Sequence, residues 1–114
     1  MTLDLSSEVR GAGEPLALLH GFTAHRGAWE SARSAFARHN TVALVDLPGH
    51  GDSPPPPPGY TFESCLDDLA RTFDRQRIGR SHLLGYSMGG RIALGFTRSG
   101  CRIVKPSAIR PPIE

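Results

Sequence analysis

Short apolar runs alternate along this chain with stretches of helical periodicity. Leu16, Ala17, Leu18 and Leu19 form one run, Val42, Ala43, Leu44 and Val45 a second, and His82, Leu83 and Leu84 a third. Runs this short, closed by glycine, proline or polar residues, predict strands over residues 16–19, 42–45 and 81–84. A leading strand is expected over 3–9, with a turn over 11–14. Between and after these, apolar positions recur every three or four residues and predict helices over 29–38, 62–76 and 88–97. Strand and helix in alternation imply an α/β fold with a parallel sheet and right-handed crossovers.

The helix over 62–76 shows its core face plainly. Phe62, Cys65, Leu66, Leu69, Ala70 and Phe73 share one side, which leaves Asp67, Asp68, Arg71, Asp74, Arg75 and Arg77 as a solvated face. Thr61 is placed to cap the helix, and Glu63 complements its dipole. Trp29 opens the preceding helix and is expected to pack it onto the sheet, with substrate contact the lesser alternative. The five prolines from Pro54 to Pro58 must be extended and stiff, which suits a rigid surface loop ahead of the helix.

Chemistry enters at Gly85, Tyr86, Ser87, Met88, Gly89 and Gly90, where a G-x-S-x-G pattern falls between a strand and a helix. That context makes Ser87 a candidate nucleophile. A sharp, strained turn needs glycines around it, because a Cβ there meets the neighbouring strand or helix, and it presents the serine hydroxyl at the sheet edge where ligands bind. Upstream, Leu18 and Leu19 run into His20, Gly21 and Phe22. A loop in that place supplies one backbone N–H of an oxyanion hole and the residue after the nucleophile supplies the other, so Phe22 and Met88 are the candidate donors. His20 reads as an organiser of loop hydrogen bonds. Asp46 and His50 lie four residues apart across a turn containing Pro48, a spacing that gives their side chains no reason to meet, and both read as turn-stabilising.

These signals, in this order, resemble the α/β-hydrolase superfamily over about residues 15–96. The wording His20-Gly21-Phe22-Thr23, Trp29, Asp46-Leu47-Pro48-Gly49-His50-Gly51 and Gly85-Tyr86-Ser87-Met88-Gly89-Gly90-Arg91 is most similar to the 2-succinyl-6-hydroxy-2,4-cyclohexadiene-1-carboxylate synthases, lyases of menaquinone biosynthesis. The resemblance implies a serine-assisted proton abstraction with loss of pyruvate. It also makes Tyr86 and Arg91 candidate substrate-binding residues, Tyr86 because many esterases carry histidine there. Arg91, four residues beyond Ser87 on the following helix, has a planar cationic fork suited to a carboxylate. A solvated arginine and a packing tyrosine are the alternatives.

A triad in this superfamily runs serine, acid, histidine along the chain. After Ser87 there is no histidine, and the only acid is Glu114. The histidines His20, His25, His39, His50 and His82 all precede the nucleophile. A chain of 114 residues is short for such a fold. The expectation is therefore a partial α/β-hydrolase domain spanning 1–114, its N-terminal part, with an atypical tail over 97–114 in which only Ile103 and Val104 begin a strand before Pro106 stops it. A frameshift, an early stop or a deliberate fragment would each give such a tail.

Two function classes remain open: part of a lyase or hydrolase, inactive alone, or a non-catalytic remnant that binds a ligand or partner. The expected ligand is a small carboxylate or ester, with no cofactor and no metal. Cys65 and Cys101 lack any metal or redox spacing and read as reduced thiols. A net charge of +2 is too small and scattered for nucleic acid. No apolar stretch reaches membrane length and Met1-Thr2-Leu3-Asp4 does not start a leader, so a cytoplasmic protein without membrane contact is expected. If the chain stops after the last helix, the strand over 81–84 is an open edge through which copies self-associate.

Overall fold

The computed structural model describes residues 2–98. The expectations for the tail from residue 99 on, including the strand start at Ile103 and Val104 and the thiol of Cys101, lie outside the described residues. Four strands, β1 (Ser7–Gly11), β2 (Glu14–Leu19), β3 (Asn40–Val45) and β4 (His82–Gly85), form one sheet in the order β1-β3-β2-β4. The helices are α1 (Glu30–Phe36), entered through one 3-10 turn at Arg26–Trp29, α2 (Phe62–Arg75) and α3 (Met88–Arg98). Within the described residues this is the N-terminal part of an α/β-hydrolase fold.

β2, β3 and β4 run parallel, with Leu18 opposite Leu44 on one side and Leu84 on the other. The sheet is nevertheless mixed, because β1 lies antiparallel to β3, Ser7 facing Val45 and Gly11 facing Thr41. A chain that turns back through Gly11 (φ +80°) and Gly13 (φ +127°) reverses direction before β2, which a helical crossover would not do. The leading strand is also shorter than expected. Leu3 and Leu5 are buried in the core but lie outside the ladder. Side chains hold this segment instead: Leu3 N–H donates to Asp68, the Arg75 guanidinium donates to the Leu5 carbonyl, and Ser6 N–H donates to Ser53 Oγ at 2.8 Å.

Alternation along the strands sorts the core into two layers. Ala17, Leu19, Ala43, Val45 and Leu83 face α2 and α3, meeting Leu66, Leu69, Phe73, Ile92 and Phe96. Leu18, Val42 and Leu44 face the other way, against Trp29, Phe36 and Leu84. Trp29 thus does pack the first helical segment onto the sheet. Thr61 caps α2, its hydroxyl accepting from Ser64 N–H while Ser64 Oγ accepts from Thr61 N–H.

Two residues of α2 depart from the periodic reading. Phe62 is half exposed, its ring lying over Gly95 of α3. Asp68 is fully buried, not on the solvated face. Leu3 and Tyr60 cover that side of α2, so the carboxylate accepts from Leu3 N–H at 3.1 Å, from Tyr60 O–H at 2.5 Å and from the Arg71 guanidinium. Three donors, one of them cationic, make the burial tolerable.

Candidate active site

β4 ends at Gly85, and the chain turns at once into α3. Ser87 sits at the apex with φ +56°, a left-handed conformation that a non-glycine residue adopts only under constraint. The turn closes through Gly89 N–H to the Tyr86 carbonyl and Gly90 N–H to the Ser87 carbonyl, each at 2.9 Å. Glycine is required around it. A Cβ on Gly85 would collide with the Gly89 and Gly90 backbone, and one on Gly89 with the carbonyl oxygens of Leu19 and His20. This close approach seats the start of α3 on the end of β2.

The loop after β2 comes to the same place. Tyr86 N–H donates to the Leu19 carbonyl at 3.1 Å, and a Cβ on Gly21 would stand 3.0 Å from Tyr86 Cδ2 and 3.3 Å from Ser87 Cβ. Met88 therefore follows Ser87 along the chain, and Phe22 follows Gly21 on the backbone packed against the elbow. Among the described residues neither their N–H groups nor the Ser87 hydroxyl has a hydrogen-bond partner. For Met88 this follows from its place in the first turn of a helix.

His20 is buried, and its bonds fix its state. Leu47 N–H donates to Nε2 at 3.0 Å, and Nδ1 lies 2.8 Å from the Gly21 carbonyl. A carbonyl only accepts, so Nδ1 carries the proton and the ring is neutral. Burial holds its pKa below the ordinary value, against the upward pull of the Gly21 carbonyl. Both nitrogens are occupied, which makes His20 an organiser of the loop. Asp46 and His50 do not bond each other. Asp46 accepts from Arg26 N–H at 2.6 Å, Asp52 N–H at 3.0 Å and the Arg26 guanidinium, while His50 accepts from Thr23 N–H at 3.1 Å. His82, at the far end of β4, faces Glu14.

A cavity of about 210 Å³ opens beside the elbow, lined by His20, Gly21, Phe22, Ala24, Ala28, Trp29 and Tyr86. Its walls are apolar and aromatic, and the only ionisable groups among them are the neutral His20 and the Tyr86 phenol. Phe22 and Tyr86 are both well exposed, at 69% and 54%, forming an apolar rim. Trp29, expected to pack with substrate contact as the lesser alternative, also lines this cavity. Ser87 and Met88 lie next to it through Gly21 and Tyr86 without being among its walls, and Arg91 is exposed on α3 outside it. A larger cavity of about 440 Å³ lies away from Ser87, among Glu8, Arg26, Arg33, Asp46 and Asp52. Its charges already pair across it, Arg26 with Glu8, Asp46 and Asp52.

Cys65 is a free, buried thiol, pushed up to about 11 by burial and therefore protonated. No group of three or more histidine, cysteine or acidic side chains among the described residues is arranged to hold a metal ion. No helix among them is long and apolar enough to cross a membrane.

Residues 16–113 match the alpha/beta hydrolase family. A protein of Bacillus subtilis (strain 168), provisionally named 2-succinyl-6-hydroxy-2,4-cyclohexadiene-1-carboxylate synthase, is 33% identical over 94 residues, covering 81% of this chain and 34% of that protein. The pimeloyl-[acyl-carrier protein] methyl ester esterase of Nitrosospira multiformis is 35% identical over 106 residues, covering 90% of this chain and 40% of the esterase. Among solved structures, a marine microorganism esterase superposes with a TM-score of 0.84 at 32% identity, over 91% of this chain and 40% of its own. The chain thus spans between a third and two fifths of the length of these relatives, and it belongs to the α/β-hydrolase family.

Proposed function

We propose that Ser87 is the nucleophile of an ester-cleaving site, with the Phe22 and Met88 amides as its oxyanion hole. The observation that carries this reading is the left-handed φ of +56° at Ser87, held where Gly21 packs against the elbow. Strain of this kind persists only where the surroundings impose it, and it clusters at functional sites. Attack of Ser87 Oγ on an ester carbonyl forms a tetrahedral oxyanion, which in this reading the Phe22 and Met88 N–H groups receive. The serine proton needs a base. Among the described residues none bonds Ser87 Oγ, so the acid and histidine are assigned to sequence beyond them, and the 114-residue chain by itself is expected to be inactive. Tyr86 and Phe22 are assigned to the substrate, across the rim of the apolar cavity. A cytoplasmic setting fits the free thiol of Cys65.

The second reading is a carboxylate-directed lyase like the synthase, favoured by the Bacillus subtilis relative. Arg91 would then meet a substrate carboxylate from α3. The cavity beside the elbow favours the ester, since no cationic side chain lines it.

The test joins residues 1–98 to the C-terminal portion of the marine esterase and follows p-nitrophenyl butyrate. Turnover lost in Ser87→Ala is expected; turnover that survives the substitution would overturn the assignment.

A further inference from the structure

We infer that His50 is a positioning residue for the oxyanion loop, holding the Phe22–Thr23 peptide unit while His20 holds the Gly21–Phe22 unit before it. This rests on the reading of the Phe22 amide as an oxyanion donor.

Phe22 lies between two peptide units. The Gly21–Phe22 unit carries the Gly21 carbonyl and the Phe22 N–H, which point in opposite directions across a planar bond. Its carbonyl accepts from His20 Nδ1 at 2.8 Å and from Ala24 N–H at 3.1 Å. Tying the carbonyl inward turns the Phe22 N–H outward. The Phe22–Thr23 unit carries the Thr23 N–H, which donates to His50 Nε2 at 3.1 Å, and the Phe22 carbonyl, which accepts from Thr23 Oγ1 at 2.5 Å. With both planes fixed, the φ and ψ of Phe22 are fixed too.

His50 is suited to this by its own bonds. Its Nδ1 lies 2.9 Å from the Pro48 carbonyl and must carry the proton, which leaves the Nε2 lone pair for Thr23. The ring is held on both sides, its centroid 5.6 Å from Phe22 in an edge-to-face contact and 5.2 Å from His20. Thr23 has φ +68°, a left-handed conformation that is unfavourable for a residue with a Cβ and needs an external grip. His50 supplies it from a loop that begins where β3 ends.

Nuclear magnetic resonance on the full chain tests this without turnover. The ¹⁵N shifts of His50 are expected to show the Nδ1–H tautomer, and an Nε2–H tautomer would overturn the inference in the unsubstituted protein. In His50→Ala, Thr23 amide exchange is expected to accelerate at least tenfold. His50→Gln, whose side-chain oxygen can accept from Thr23, should restore slow exchange, and His82→Ala should leave it untouched. Unchanged Thr23 exchange in a folded His50→Ala protein overturns the positioning role. Titration with an aryl boronic acid separates the two readings: perturbed Phe22 and Met88 amides support the oxyanion assignment, and unperturbed ones remove it together with the catalytic meaning of the clamp.

Discussion

Arg26 holds Asp46 twice, once through its backbone N–H at 2.6 Å and once through its guanidinium, with the carboxylate side chain only 1% exposed. The backbone contact fixes where the chain enters the 3-10 turn, and Asp52 N–H, at 3.0 Å, ties the loop after β3 to the same carboxylate. Two loops that frame the elbow thus share one buried charge. Arg26→Met leaves Asp46 its two backbone donors and is expected to cost about 1.5–3 kcal/mol, the worth of a hydrogen bond to a charged group. Asp46→Ala leaves the Arg26 guanidinium its Glu8 and Asp52 partners but strips both N–H groups of their acceptor, and about 3–5 kcal/mol is expected from the two donors left unsatisfied together with the lost charged contact. Urea unfolding of the two variants checks the order; equal losses would mean the guanidinium carries the whole effect.

Acid sensitivity follows from two depressed pKa values. Burial alone would raise Asp46, but the Arg26 and Asp52 N–H groups and the Arg26 charge outweigh it and hold the carboxyl below its ordinary 3.8. Burial keeps His20 below 6.5. In both cases the unfolded chain binds protons more readily, so stability rises with pH and is lost on acidification. The urea midpoint is expected to be flat just above pH 7, to decline as pH falls below 6.5, and to drop again below 3.8. His20→Asn should remove the upper step alone. A midpoint that rises between pH 7 and pH 5 in the unsubstituted protein would contradict the assignment of His20 as neutral.

Two glycines of α3 separate a forced close approach from a merely crowded one. A Cβ on Gly89 would meet the Leu19 carbonyl, backbone that cannot yield without moving β2. A Cβ on Gly95 would meet the Phe62 ring at 2.5 Å, the free end of a half-exposed side chain that can swing aside. Gly89→Ala is therefore expected to destabilise by about 3 kcal/mol or more. Gly95→Ala is expected to be neutral or stabilising by up to about 1 kcal/mol through helix propensity. Thermal unfolding of both variants decides it.

Much of this was legible in the residues. The parallel strands and helices follow from closed apolar runs and helical spacing, and the elbow is legible because its glycines answer steric needs within a few residues of Ser87. What escaped depends on distant partners. β1 is antiparallel because it pairs with β3, a choice its own residues do not announce. Asp68 looks solvated by periodicity, yet Leu3 and Tyr60 arrive to cover it. The contact of His50 with Thr23 spans 27 residues, so sequence spacing could give a turn role to His50 but not its grip on the loop.

Arg91 discriminates the two functional readings. In the chimeric enzyme, Arg91→Ala should leave a neutral ester unaffected. If the carboxylate-directed reading holds, the same substitution should impair the carboxylate substrate by about 2–5 kcal/mol, the cost of leaving a charge partner unpaired. Measured kcat/KM on both substrates, with no loss on either, would leave Arg91 as a solvated residue and favour the ester.

Self-association is the last expectation, and it rests on β4. Among the described residues β4 pairs only with β2, so its other edge presents unpaired backbone. That edge holds Leu83, Leu84 and Gly85, with His82 its only ionisable residue and no proline. Unguarded edges of this kind template pairing with another chain. Phe62 and Leu94 add exposed apolar surface on α2 and α3. The esterase it superposes on extends well past the matched region, this chain covering 40% of it. The full chain is expected to associate with rising concentration in size-exclusion chromatography with light scattering. His82→Lys gives Glu14 a cationic partner while placing a fixed charge on the edge, and should shift the chain toward monomer. Leu94→Lys should act only if the helix face, not the strand, makes the contact. A clean monomer with a sharp cooperative unfolding transition at high concentration would mean that the β4 edge is already covered, and association through it would be excluded.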